Sequence, residues 1–134
     1  MKLISTHICM AGDLGIHNNL FGGTMLSWLD EAGAALASQV VSTPRVVTVK
    51  MSEVVFNRPV KAGNLIKIYG EVKEIGNTSI TLSLVAKKES PYTQKQKEVC
   101  STDIKFVRID GEGEPVPISE RVRKQNFSGN KENT

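Results

Sequence analysis

Residues 21–42 read FGGTMLSWLDEAGAALASQVVS. Met25, Leu26, Leu29, Ala32, Leu36 and Val40 recur at helical spacing, and most of the remaining residues are helix formers. The pattern predicts one helix of roughly 20 residues, longer than the usual globular helix. Asn18 or Asn19 is placed to cap its first turn, and Pro44 follows its end. One row of this helix differs from the rest. Gly23, Ser27, Asp30, Ala34 and Ala37 follow one another at spacings of four and three, so they share a face. All are small except Asp30. Small residues admit a second backbone or a ligand, and a carboxylate among them is costly to bury unless it is paired or used.

Outward from the helix the pattern changes period. Residues 2–10 read as a short strand, and residues 11–19 as a turn-forming loop with Gly12, Asp13, Gly15, Asn18 and Asn19. Residues 46–56, 65–75, 79–88 and 98–109 alternate apolar with polar positions, as half-buried strands do. Pro59 with residues 61–64, then Gly76-Asn77 and Ser90-Pro91, supply the turns. One long helix with antiparallel strands gives an α+β fold, a sheet folded over a single helix. Residues 1–110 form that domain. Residues 111–134 shift to Pro115, Pro117, charges, Ser and Asn, which predicts a weakly ordered tail with at most a short helix near residues 120–125.

The chain has 134 residues, enough for one core and too few for two. Aromatic residues make up only 5%, so that core must be mainly aliphatic. A net charge of +3 is too small to mark a nucleic-acid protein. The excess is local, however. The tail is balanced, while residues 87–97 set Lys87, Lys88, Lys95 and Lys97 against Glu89 alone. Such a run is either a solvated hairpin edge that discourages aggregation or a place for an anionic small molecule. No apolar stretch approaches a membrane span, and residues 1–10 lack signal-peptide features. Cys9 and Cys100 lie far apart without Cys or His companions at ligand spacing. These features predict a cytoplasmic domain with reduced thiols, no metal site, no membrane partner and no nucleic-acid partner.

Two places could carry chemistry. Asp30, in the helix interior, is either a general base, a solvent-facing residue beside Glu31 or a partner for a lysine. Gly22-Gly23 at the helix start bares backbone N–H groups in the positive end of the helix dipole. That suits an oxyanion hole or a phosphate, but it equally suits a glycine entry needed for close packing. His7 and His17 have no partner at nucleophile or metal spacing, and Asn126-Phe127-Ser128 is a sequon without the secretory context it needs. No phosphate-binding loop, dinucleotide fingerprint or serine elbow is present.

Five segments taken in order make a more specific pattern: residues 19–23 (NLFGG), 28–33 (WLDEAG), 45–49 (RVVTV), 56–60 (FNRPV), and Gly63-Asn64. Together they resemble the hotdog-fold acyl-CoA thioesterases, in particular the bacterial acyl-CoA hydrolases and the animal cytosolic ones. The likeness runs from about Leu3 to Asp110 and leaves the tail uncovered.

The resemblance implies a sheet wrapped around the long helix, a homodimer as the minimal active unit, and a trimer of dimers. The sites would lie at the dimer interface, with acyl-CoA as substrate and no cofactor, coenzyme A being part of the substrate. The family's helical aspartate matches Asp30, and its Asn-or-Asp before the glycine pair matches Asn19. Where two-domain animal relatives divide these residues between repeats, this chain keeps both, so two equivalent sites are expected. In that scheme Asp30 activates water, while Asn19 with the N–H of Gly22 or Gly23 from the other subunit orients it and polarises the carbonyl. Attack by Asp30 itself, through an anhydride, stays open. Arg58, Lys87 and Lys88 are the candidates for the coenzyme A phosphates, with Asn77, Thr78 and Ser79 along the pantetheine channel. A non-catalytic acyl-CoA-binding regulator and a hotdog dehydratase are the competing readings. Asn19 together with Asp30 favours the hydrolase over the first. The positions of His7 and His17 disfavour the second.

Overall fold

The structure is a computed structural model that describes residues 1–125. The sequon and residues 126–134 lie outside the described residues. The elements follow in the order β1 (Lys2–Ile8), a short 3-10 turn (Ala11–Asp13), α1 (Gly22–Val41), β2 (Val46–Phe56), β3 (Leu65–Ile75), β4 (Ser79–Glu89), β5 (Gln96–Arg108) and α2 (Glu120–Arg123). The strands form one antiparallel sheet in the order β1-β3-β4-β5-β2, with α1 packed across it. This is the α+β arrangement that the helical and alternating periods predict.

From Ile80 to Ala86 the alternation along β4 is strict. Ile80, Leu82, Leu84 and Ala86 are buried, while Thr81, Ser83 and Val85 face the other way. The buried row meets Leu29, Ala32, Leu36 and Ala37 of α1, together with Ile66, Ile68, Ile104 and Phe106. The core is therefore aliphatic apart from Phe106, as the scarcity of aromatics requires. Gly33 brings helix and sheet together, because a Cβ there would stand 3.0 Å from both Leu84 and Phe106.

Two expectations are corrected. No side chain caps α1: Phe21 occupies the cap position, and the Thr24 and Met25 N–H groups return to its carbonyl at 3.0 and 3.1 Å. Asn18 instead takes a left-handed φ of 61° in the preceding turn, which Asn tolerates. The chain after Gly111 is also no weakly ordered tail as far as Gln125. The Val116 N–H donates to Arg108 and the Ile118 N–H to Asn77, while Ile118 and Val122 are buried in the core. Two well-spaced apolar anchors outweigh the polar composition around them.

β2 is an edge strand of 11 residues with Val47, Val49, Val55 and Phe56 exposed. Its pairing with β5 slips between Thr48 and Lys50 and again between Ser52 and Val55. Such bulges bend an edge strand and re-aim its side chains.

Candidate active site

Asp30 sits two turns into α1, half-buried, on the side that meets β2. Thr48 is paired with the fully buried Phe106, so its side chain points toward the helix. Its hydroxyl donates to Asp30 Oδ1 at 2.6 Å. Thr48 is the functional candidate that sequence reasoning missed: period-two alternation gives the face of a strand residue, but not which helix residue it meets. Asp30 makes no salt bridge among the described residues, so its charge is not spent on a cation.

Asn19 belongs to a separate group of residues. The loop that carries it is held at several points. Leu14 bridges Leu20, the Gly15 N–H donates to the Asn19 carbonyl, and the Leu20 N–H donates to Val60. Lys61 Nζ donates to Asn19 Oδ1 at 2.5 Å. From Gly22 to Asp30 the helix rises roughly 12 Å, and Asn19 lies ahead of its start, so one chain does not bring Asn19 and Asp30 together.

The Gly22 and Gly23 N–H groups open the helix and find no acceptor among the described residues. Gly23 also has a packing role, since a Cβ there would lie 2.8 Å from the Phe21 ring. Gly22 lines a cleft of about 350 Å3 with Leu20, Met25, Phe56, Arg58 and Val60. Beside this cleft lies a cationic cluster. Arg58 Nη1 donates to the Glu98 carbonyl at 2.7 Å and Lys88 Nζ to the Pro59 carbonyl at 2.8 Å. Burial, reinforced by the charges of Lys97, Arg58 and Lys61, pushes the Lys88 amine below the usual lysine range.

The predicted coenzyme A residues divide in three. Arg58 and Lys88 share this cluster. Lys87 turns to the other face of the strand, its Nζ 5.1 Å from the Tyr69 ring centroid. Asn77, Thr78 and Ser79 lie at the far end of β4, roughly 30 Å from Lys88 at strand rise, where Asn77 and Thr78 carbonyls hold the Ile118 and Arg108 N–H groups. One chain does not gather them into a single channel.

Among the described residues neither histidine hydrogen-bonds Asp30 or Asn19. His7 stacks on Trp28 at 4.5 Å, its Nε2 is 3.1 Å from Ser5 Oγ, and burial lowers its pKa. His17 is exposed. Cys9 and Cys100 are free and buried, and burial pushes the Cys100 thiol up to about 11. No cluster of metal-ligating side chains occurs among the described residues, and no described helix is long and apolar enough to cross a membrane.

Comparison with known proteins places this arrangement. The Thioesterase superfamily profile matches residues 17–95. The acyl-CoA thioester hydrolase YciA of Escherichia coli (strain K12) is 30% identical over 116 residues, covering 84% of this chain and 87% of the relative. The protein of the same name in Salmonella typhimurium is 32% identical over 121 residues, covering 87% and 90%. A hexameric hotdog fold thioesterase of Campylobacter jejuni superposes with a TM-score of 0.83 at 31% identity, covering 92% of this chain and 95% of that one. With helix, sheet order and matched segments in agreement, the chain is a hotdog-fold member of the thioesterase superfamily.

Proposed function

We propose that the protein is an acyl-CoA thioesterase whose active site is completed by two subunits. The observation that carries this reading is the separation of Asp30 from Asn19 in one chain, each oriented by its own partner, Thr48 and Lys61. The exposed edge of β2, with four large apolar side chains open to solvent, supports pairing with a second copy. The relatives named acyl-CoA thioester hydrolase support the substrate class, and the hexameric neighbour supports a trimer of dimers.

In this reading the thioester lies against Gly23, Ser27, Asp30 and Ala34 of α1, the row's last member Ala37 being buried in the core. Asp30 takes a proton from water as its oxygen attacks the carbonyl carbon, and the negative charge that grows on the carbonyl oxygen meets N–H donors of the other subunit, from Asn19 and Gly22 or Gly23. Collapse breaks the C–S bond, the thiolate receives the proton, and a fatty acid and coenzyme A leave. Arg58 and Lys88 face the phosphates. Hydrolysis needs no cofactor.

Subunit complementation tests this directly. Asp30→Asn alone is expected to abolish release of coenzyme A while still binding substrate, and Asn19→Ala alone to lower it about 100- to 1000-fold. Mixed and re-associated in equal amounts, the two variants should recover about a quarter of wild-type activity, because half the dimers are mixed and each has one intact site. Activity retained by Asp30→Asn removes the catalytic assignment. Absence of recovery in exchanged subunits removes the shared site.

A further inference from the structure

Lys61 donates to Asn19 Oδ1 at 2.5 Å across 42 residues of sequence. An ammonium group has donors and no acceptor, so the atom it faces must be the amide oxygen, and the amide nitrogen is turned away from it. That nitrogen finds no acceptor among the described residues. Lys61 has no carboxylate partner among them either. Its neighbours are cations, since Lys61 is among the charges that disfavour protonation of Lys88, with Arg58 and Lys97. A lysine in such surroundings that pairs with a neutral amide is arranged to hold the amide.

The lysine itself is firmly placed. Its backbone N–H donates to Asn64 Oδ1 at 2.9 Å, and the Asn64 N–H returns to the Lys61 carbonyl. Gly63 turns the chain with a φ of 90°, which favours glycine, and its N–H donates to Cys9 at the end of β1. This turn and the Asn19 loop are joined again by the Leu20–Val60 hydrogen bond.

We infer that Lys61 is a positioning residue that fixes Asn19 as a hydrogen-bond donor, its Nδ2 aimed at the oxygen on which charge develops. This rests on the thioesterase reading. The ammonium charge on the carbonyl side polarises the amide and strengthens the N–H bonds on the other side. Asn19 is then part of an oxyanion hole and does not accept a proton from the attacking water.

The test compares wild type, Lys61→Met, Lys61→Arg, Asn19→Asp and the Lys61→Met/Asn19→Ala double variant, using an acyl-CoA and the matching acyl-pantetheine, which lacks the nucleotide phosphates. Lys61 is exposed, so these chains should fold, which the urea midpoint checks. Lys61→Met is expected to lower kcat about 10- to 100-fold on both substrates, as misplacement of a catalytic group does. Lys61→Arg should restore most of it. Asn19→Asp, which can accept but not donate, should be inactive, and Lys61→Met should cost nothing further in the Asn19→Ala background. Unchanged kcat in Lys61→Met, a loss confined to KM for acyl-CoA, or an equal loss on top of Asn19→Ala overturns the inference while leaving the thioesterase reading in place. A wild type that releases no thiol from any acyl-CoA overturns that reading and the inference with it.

Discussion

Thr48 Oγ1 lies 2.6 Å from Asp30 Oδ1, joining the edge strand to the middle of the helix. The hydroxyl can only donate here, so one carboxylate oxygen is occupied and the other is left for a proton. Alternation along β2 turns this side chain toward the helix while Val47 and Val49 on either side of it stay exposed.

Thr48→Val keeps the shape and removes the donor. Release of coenzyme A is expected to slow about 10- to 100-fold in kcat, because the carboxylate loses its fixed orientation. Thr48→Ser should recover most of that rate. Steady-state kinetics at saturating acyl-CoA decides it, and wild-type kcat in Thr48→Val would remove Thr48 from the mechanism.

The cationic cluster leads to a pH prediction. Lys88 is held below the usual lysine range first by burial and then by Lys97, Arg58 and Lys61. The protonated form is the one that attracts phosphates, so affinity for coenzyme A should be full near neutrality and fall at a lower pH than an ordinary lysine would give. The stability sign is opposite. The unfolded chain binds more protons in that window, so the penalty of charged Lys88 is present below its folded pKa and is relieved as pH rises through it. Calorimetric titration with desulfo-coenzyme A, which has no thiol to ionise, measures the first effect. Its alkaline step should vanish in Lys88→Gln.

How much of this could be read from the chain depends on the distance over which each feature is encoded. The period of residues 21–42 is local, and it gave α1 to within a residue at each end. Asp30 stood out because a carboxylate broke a row of small residues. Thr48 and Lys61 carried no such mark. Their roles come from contacts 18 and 42 residues away, set by the pairing of β2 with β5 and by a pinned loop. The lysine run in residues 87–97 misled in detail because β4 alternates: Lys88 faces Pro59 and Lys87 faces Tyr69. A net charge cannot show which face each residue takes.

Gly70 tests how closely the sheet packs under the helix. A Cβ there would stand 2.6 Å from Ile4, 2.7 Å from Leu84 and 3.2 Å from Leu36. Alanine relieves the entropic cost of glycine in a strand, a gain of up to about 1 kcal/mol. Crowding from three side chains outweighs it, since overpacking costs about 1–3 kcal/mol. Gly70→Ala is therefore expected to lower Tm, and a raised Tm would show that this end of the core yields.

The segment beyond Gly111 yields the last prediction. Asp110 Oδ1 accepts the Glu112 and Glu114 N–H groups at 2.9 and 3.0 Å, forming the turn that sends the chain back along Arg108. Those hydrogen bonds, that of Glu114 foremost, hold the Asp110 carboxyl below its ordinary range. Beyond the turn, Ile118 is 1% exposed and its N–H donates to the Asn77 carbonyl, so the segment seals the end of the core beside the β3–β4 turn. Ile118→Ala leaves the backbone bonds and opens a cavity, which costs about 2–5 kcal/mol. A segment that merely lay on the surface would lose under about 0.5 kcal/mol by the same change. The urea midpoint separates the two cases. A clear fall with unchanged kcat assigns residues 111–125 to the folded core and not to the catalytic machinery.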